Sequence, residues 1–161
     1  MKIRAFTTAF CLTMLVVGMG NLAQSSASAE DNRDDKSCEV AIARAKERIS
    51  QGRDIRIVSS ESADSTPRYP DHPNGRPLIF TILLDGNAAR SVMNSPVFQK
   101  TIASEIIRAC SSVGAVSFGK YQTGWGSTVG LMADGTIESF QCAEMGRDRP
   151  NPSWGQEYCD L

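Results

Sequence analysis

A single histidine, His72, serves the whole chain of 161 residues, and it stands beside Asp71 in Tyr69-Pro70-Asp71-His72-Pro73. An imidazole next to a carboxylate has the makings of an acid/base pair. Sequence neighbours in a proline-rich segment rarely aim at one another, however, and catalysis also needs a positioned nucleophile or metal. Asp71 and His72 are therefore read as exposed loop residues offering a binding surface. Carboxylates are the second source of chemistry: Asp85, Asp134 and Glu138 would serve glycoside hydrolysis if the fold brought them together. The motifs of the common enzyme classes are missing, with no G-x-S-x-G elbow, H-E-x-x-H, Walker loop or dinucleotide-binding glycine pattern. Asp85-Gly86-Asn87 begins like a calcium loop, but Ala89 and Ser91 stand where further oxygen ligands should follow. No metal or cofactor is expected. A third kind of chemistry is stacking: Tyr121 and the Gly124-Trp125-Gly126 triplet place two aromatic rings at one turn, where they either cap the core or form a platform for sugar rings or a peptide.

The cysteines define the chemical environment. Lys2 and Arg4 precede an apolar stretch, Ala5 to Met19, and the triplet Ala27-Ser28-Ala29 follows. That is the pattern of a signal peptide cleaved after residue 29, too short and too threonine-rich for a retained span. Cys11 lies inside the discarded segment. Cys38, Cys110, Cys142 and Cys159 remain, an even number in an oxidising compartment, which implies two disulfides. Their separations are far longer than the two to four residues typical of zinc-ligand pairs, and no C-x-x-C supports a redox catalyst. Three pairings are formally open; Cys38 with Cys110 and Cys142 with Cys159 is preferred, because each joins elements that other signals place together.

Loss of Lys2 and Arg4 from 17 basic groups leaves 15 against 18 acidic ones, a net charge near −3. Lys and Arg nowhere form the concentrated patch that nucleic-acid binding requires.

The elements that would position these residues follow from periodicity. Residues 30–36 are charged and expected to fray. A helix then begins, capped by Asp35 or Ser37, with Cys38, Ile42, Ala45 and Ile49 on its buried stripe and Gly52 as its stop. Ile55 and Ile57 mark a short edge strand ending at Val58, and residues 59–77, rich in Ser, Asp and Pro, read as a long exposed loop. Leu78 to Leu84 is the most apolar run and the expected central strand. Ser95-Pro96 reads as a helix start, with Val97 or Phe98, Ile102, Ile106 and Cys110 facing inward. A three-stranded meander follows at about 114–121, 126–132 and 136–142, its last turn made by Asp134-Gly135 with both residues at positive φ. Residues 143–161 show no periodicity; Cys159 pins this irregular tail while Trp154 packs inward.

The stretch from Cys110-Ser111-Ser112-Val113-Gly114 through Tyr121-Gln122-Thr123-Gly124-Trp125-Gly126 to Asp134-Gly135-Thr136, with the Trp154-Gly155-Gln156 tail, resembles small secreted proteins of unknown function of a cyanobacterial type. The resemblance implies a periplasmic or secreted location, with the thylakoid lumen as the lesser alternative, and lends no catalytic residues.

Together these readings give one α+β domain over residues 30–161, two helices on one face of an antiparallel sheet, with a partly closed barrel as the alternative. The function expected is a non-enzymatic binding or assembly module of the cell envelope whose partner is an envelope protein or glycan. A small envelope hydrolase and an inhibitor of a secreted enzyme are the alternatives.

Overall fold

The computed structural model describes residues 26–143 and 151–159. The fold is α+β. Five strands, β1 (Arg56–Asp64), β2 (Leu78–Asp85), β3 (Val113–Lys120), β4 (Gly126–Leu131) and β5 (Ile137–Ser139), form one sheet in that order, and β6 (Gln141–Ala143) pairs with β7 (Gln156–Tyr158) in a second, two-stranded one. Helices α1 (Ser26–Ser50), α2 (Ala89–Met93) and α3 (Pro96–Ala109) complete the chain.

Alternation along the strands divides the sheet into two faces. Phe80, Ile82 and Leu84 of β2, Val116 and Phe118 of β3 and Val129 of β4 point toward the helices, where they meet Ala45 and Ile49 of α1 and Ile102, Ala103, Ile106 and Ile107 of α3. The stripes expected on both long helices thus form the main core. Val97 is the exception at 78% exposed; Phe98 faces inward instead, with the Arg53 guanidinium 4.7 Å from its ring centroid. Ser95 occupies the N-cap of α3 without a side-chain capping bond. Gln99 does the tying there: its amide nitrogen donates to the carbonyls of Val92 and Met93, and its oxygen accepts from Ser127 of β4.

Several expectations are corrected. The sheet is mixed rather than antiparallel, because β2 and β3 run parallel; α2 and α3 lie between them, and a crossover of that length returns the chain in the same direction. The helix does not start at Asp35 or Ser37. It starts at Ser26, no Gly or Pro interrupts it before residue 37, and the Ser37 hydroxyl donates to the Asp34 and Ala109 carbonyls instead of capping. The expected leader lies outside the described residues except for 26–29, which belong to this helix. The first strand runs on to Asp64, six residues into the segment read as loop. Ser59–Asp64 lack apolar alternation because β1 is an edge strand; pairing with β2, not burial, holds them. The third meander strand stops at Ser139, and the irregular tail contains β7. At Asp134-Gly135 only Gly135 has positive φ (83°). Asp134 accepts from the Thr136 N–H and hydroxyl, and the Gly135 N–H donates to Met132, as in a type I turn closed by a left-handed glycine.

The other face of the sheet carries a second, smaller core. Tyr69, Ala115 and Phe140 are buried there with Ile79, Met132 and Trp154 against them. Tyr69, Phe140 and Trp154 meet edge to face, with centroids 5.2–5.7 Å apart. The Trp154 indole N–H donates to the Leu131 carbonyl at 2.8 Å, and the Tyr69 hydroxyl donates to Gln156 at 3.0 Å. Both expected disulfides are present: Cys38–Cys110 joins α1 to the end of α3, and Cys142–Cys159 locks β6 to the chain leaving β7.

Candidate functional site

The second face supplies the cleft. On β3 and β4 its residues are Ala115, Ser117, Gly119, Gly126, Thr128 and Gly130, so two neighbouring strands present only small side chains there. Two of the gaps are filled, since a Cβ at Gly119 would meet Leu83 at 2.7 Å and one at Gly130 would meet the Phe140 ring at 2.5 Å. Gly126 has only ordinary contact, at 3.6 Å, and the depression stays open beside it. The result is a cleft of about 1010 Å³ between the sheet and the tail, lined by Thr81, Ser117 and Thr128 on its floor and by Arg68, Glu157, Tyr158 and the Cys142–Cys159 disulfide on its walls.

The floor has a definite order. Thr81 stands opposite Ser117, and Ser117 opposite Thr128, in the register of β2, β3 and β4. Adjacent strands lie about 4.8 Å apart, so the three residues that carry these hydroxyls are spaced by one strand each across the sheet. Thr128, 7% exposed, donates its hydroxyl to Ser117 at 3.4 Å, and its backbone N–H to Glu157 Oε1 at 3.3 Å. The Thr81 hydroxyl has no hydrogen bond among the described residues. At one wall the Arg68 guanidinium lies 5.3 Å from the Tyr69 ring centroid. Asp64 lines the same cleft, and its carboxyl is held below the ordinary aspartate range chiefly by the Thr66 hydroxyl and N–H. It is an acceptor at neutral pH rather than a proton donor.

Of the residues singled out from sequence, Trp125 borders this cleft, while packing in part against the helix-side core. Tyr121 is 39% exposed in the same turn and does not line the cleft. Asp71 and His72 hold the tail: both Asp71 oxygens accept the Trp154 N–H at 3.0 Å, and His72 contacts Thr66 at 3.3 Å and the Trp154 ring edge-on. The 69–73 segment is thereby tied down, with Tyr69 buried beneath it. The three carboxylates stay apart. Asp85 ends β2 next to Arg56, Glu138 on β5 pairs with Lys100, and Asp134 belongs to the β4–β5 turn, at the opposite end of the sheet from Asp85.

Thr81, Ser117, Thr128 and Glu157 escaped the sequence reading. For Ser117 and Thr128 the signal was an alternation of small and hydroxyl residues opposite the apolar positions of β3 and β4, which was read only for its apolar half; Thr81 stands inside the apolar run of β2 and Glu157 in the tail without periodicity. Among the described residues there is no group of His, Cys, Asp and Glu able to hold a metal ion, and no helix is long and apolar enough to cross a membrane. No protein-family model, curated protein or solved structure matches the chain.

Proposed function

We propose that the protein is a non-enzymatic binding module of the cell envelope, exported after loss of residues 1–29, and that its cleft receives an extended, hydroxyl-rich glycan chain. The observation that carries this reading is the Thr81–Ser117–Thr128 row, three hydroxyls in line across adjacent strands in an open concave face. A hydroxyl both donates and accepts, which suits sugar hydroxyls. The spacing of the strands that carry the row favours a glycan over a peptide: an extended peptide repeats same-side groups every ~6.7 Å, whereas the sugars of a β-linked chain follow one another at closer to the strand separation. Two disulfides suit an oxidising compartment outside the cytoplasm.

The test is a titration of the oxidised, isotope-labelled protein with chito- and cello-oligosaccharides, followed by NMR. Shifts confined to Thr81, Ser117, Thr128 and Trp125 are expected, and Thr81→Val should weaken binding about fivefold, the value of one neutral hydrogen bond. Silence of those four amides toward both series at saturating sugar would reject the glycan reading.

A further inference from the structure

Three steps from an Asn or Asp to a glycine lie among the described residues: Asn74-Gly75, Asp85-Gly86 and Asp134-Gly135. Each is a latent covalent site. A glycine has no Cβ to shield its nitrogen or to restrict the backbone rotation that carries this nitrogen toward the preceding Cγ. The surroundings of each step decide whether such a ring can close.

Asp85 and Asp134 are closed to this chemistry. The Gly86 N–H at Asp85 and the Thr136 hydroxyl at Asp134 are the main groups holding the two carboxyls below the ordinary aspartate range. Both stay ionised, and a carboxylate resists a nucleophile. Their glycines are restrained as well: a Cβ at Gly86 would collide with the Asp54 carbonyl, and the Gly135 N–H donates to Met132 at 3.0 Å. Asn74-Gly75 differs at each point. Both residues are exposed, a Cβ at Gly75 would meet nothing within 4 Å, and neither the Asn74 carboxamide nor the Gly75 N–H has a hydrogen bond among the described residues. A carboxamide carries no charge and is electrophilic at carbon. One bond closes the turn, from the Arg76 N–H to the Pro73 carbonyl at 3.0 Å, with Gly75 at φ 74° in the third position of a type II turn. Beyond the turn the chain is fixed. Arg76 Nη1 donates to the carbonyls of Ile107, Cys110 and Val113, and the Leu78 N–H donates to Ser112 at 3.1 Å. A backbone lengthened at residue 74 therefore strains the hold of Arg76 on the end of α3.

We propose that Asn74 is a site of spontaneous deamidation and that its isoaspartyl product loosens the Arg76 contacts. The Gly75 nitrogen, losing its proton to hydroxide, attacks Asn74 Cγ; the N–Cγ bond forms, the Cγ–Nδ2 bond breaks, and ammonia leaves a cyclic imide. Water then opens the ring. Opening at Cγ gives an aspartate at that position with the backbone as before. Opening at the backbone carbonyl gives isoaspartate, with the chain running through Cβ and one carbon longer. Both products add a negative charge, and water is the only co-reactant. The site stands apart from what the cleft binds.

The test is peptide mapping by mass spectrometry of the oxidised, folded protein held in mildly alkaline buffer, beside a synthetic peptide of residues 69–79. The unmodified Asn74 peptide should be lost to two products of equal mass, with isoaspartate in excess. Asn87, whose amide donates to Asp54 at 2.6 Å, and the two Asp-Gly steps should stay unchanged over the same period. Asn74→Gln, which would have to close a larger ring, should keep its peptide intact. Once separated by chromatography, the isoaspartyl protein should melt below the parent, toward the melting temperature of Arg76→Met, whereas Asn74→Asp should melt with the parent. An Asn74 peptide still intact when the synthetic copy has fully converted, or earlier conversion at Asp85 or Asp134, would overturn the site. An isoaspartyl form that melts with the parent would overturn its effect on Arg76.

Discussion

Single side chains in this protein act over long sequence distances, and Arg76 is the clearest case. Its Nη1 donates to the carbonyls of Ile107, Cys110 and Val113 at 2.7, 3.1 and 2.9 Å, so one guanidinium closes the C-terminal end of α3 and the entry to β3. A cation at a helix C-terminus is also favoured by the peptide dipoles. Arg76→Met keeps the aliphatic stem and removes the donors; it should lower unfolding free energy by about 3 kcal/mol in urea melts, since charge-assisted bonds are lost and part-buried carbonyls are stranded. A loss below about 0.5 kcal/mol, the range of ordinary surface changes, would dismiss this role. Nothing in Gly75-Arg76-Pro77 announces it, because a lone arginine in a loop carries no record of where it reaches. The cysteines were legible for the opposite reason: once both helices are placed, Cys38 and Cys110 fall on inward stripes. Acid response belongs to this scale too. Asp64, Asp85 and Asp134 are all held below the usual aspartate range, respectively by the Thr66 hydroxyl, by the Gly86 N–H with Arg56, and by the Thr136 hydroxyl and N–H. Their contribution is present above the unfolded value near ~3.9 and is lost as pH falls through the lower folded values. Tyr69 has the opposite sign: burial raises its pKa, so its contribution holds below ~10 and is lost as pH rises beyond that. Melting temperatures should therefore fall at both extremes. Asp134→Asn should flatten the acid limb, and Tyr69→Phe the alkaline one.

At the level of elements, legibility tracked burial. α1, α3, β2, β3 and β4 each bury one face, so their sequences repeat with the period of their backbone and were found. The outer half of β1 buries little, and β7 is held by a disulfide and a short ladder, so neither writes a period into the chain. The cleft was hidden by the same logic, because a depression is made of what is absent from the side chains. Glycines decide its shape, and two of them separate filling from opening. Gly130→Ala drives a methyl into the Phe140 ring and within 3.2 Å of the Ala115 methyl, and Phe140 carries Tyr69 and Trp154 with it. A loss of about 2 kcal/mol and a red shift of Trp154 emission are expected, as for other overpacked positions. Gly126→Ala, with 3.6 Å to its nearest neighbour outside the adjoining residues, should change neither. Equal effects at the two sites would mean that the small-residue face is not packed against the tail as described.

The whole molecule is a helix layer, a sheet and a partial third layer, and its two disulfides hold different parts of that stack. Cys38–Cys110 spans 72 residues and secures the two long helices over the main core, with Cys110 only 1% exposed. Cys142–Cys159 spans 17 residues, its Cys142 is exposed, and what it secures is the wall of the cleft. Loop-closure entropy assigns the longer bridge about 4 kcal/mol and the shorter about 3 kcal/mol. Against a total of about 5–15 kcal/mol for a domain of ordinary stability, neither is spare. Access separates them: thiol–disulfide exchange needs an attacking thiolate in line with a sulfur, which the cleft-side bridge permits and the core-side bridge resists. With limiting dithiol reductant, Cys142 and Cys159 should take up alkylating label first, and Trp154 emission should move while far-UV circular dichroism holds. Cys38 and Cys110 should then be labelled together with cooperative loss of helix signal. Labelling of all four cysteines in one step would mean that the third layer and the helix–sheet core unfold as a single unit, and the cleft wall would then share the stability of the core instead of being a separable attachment to it.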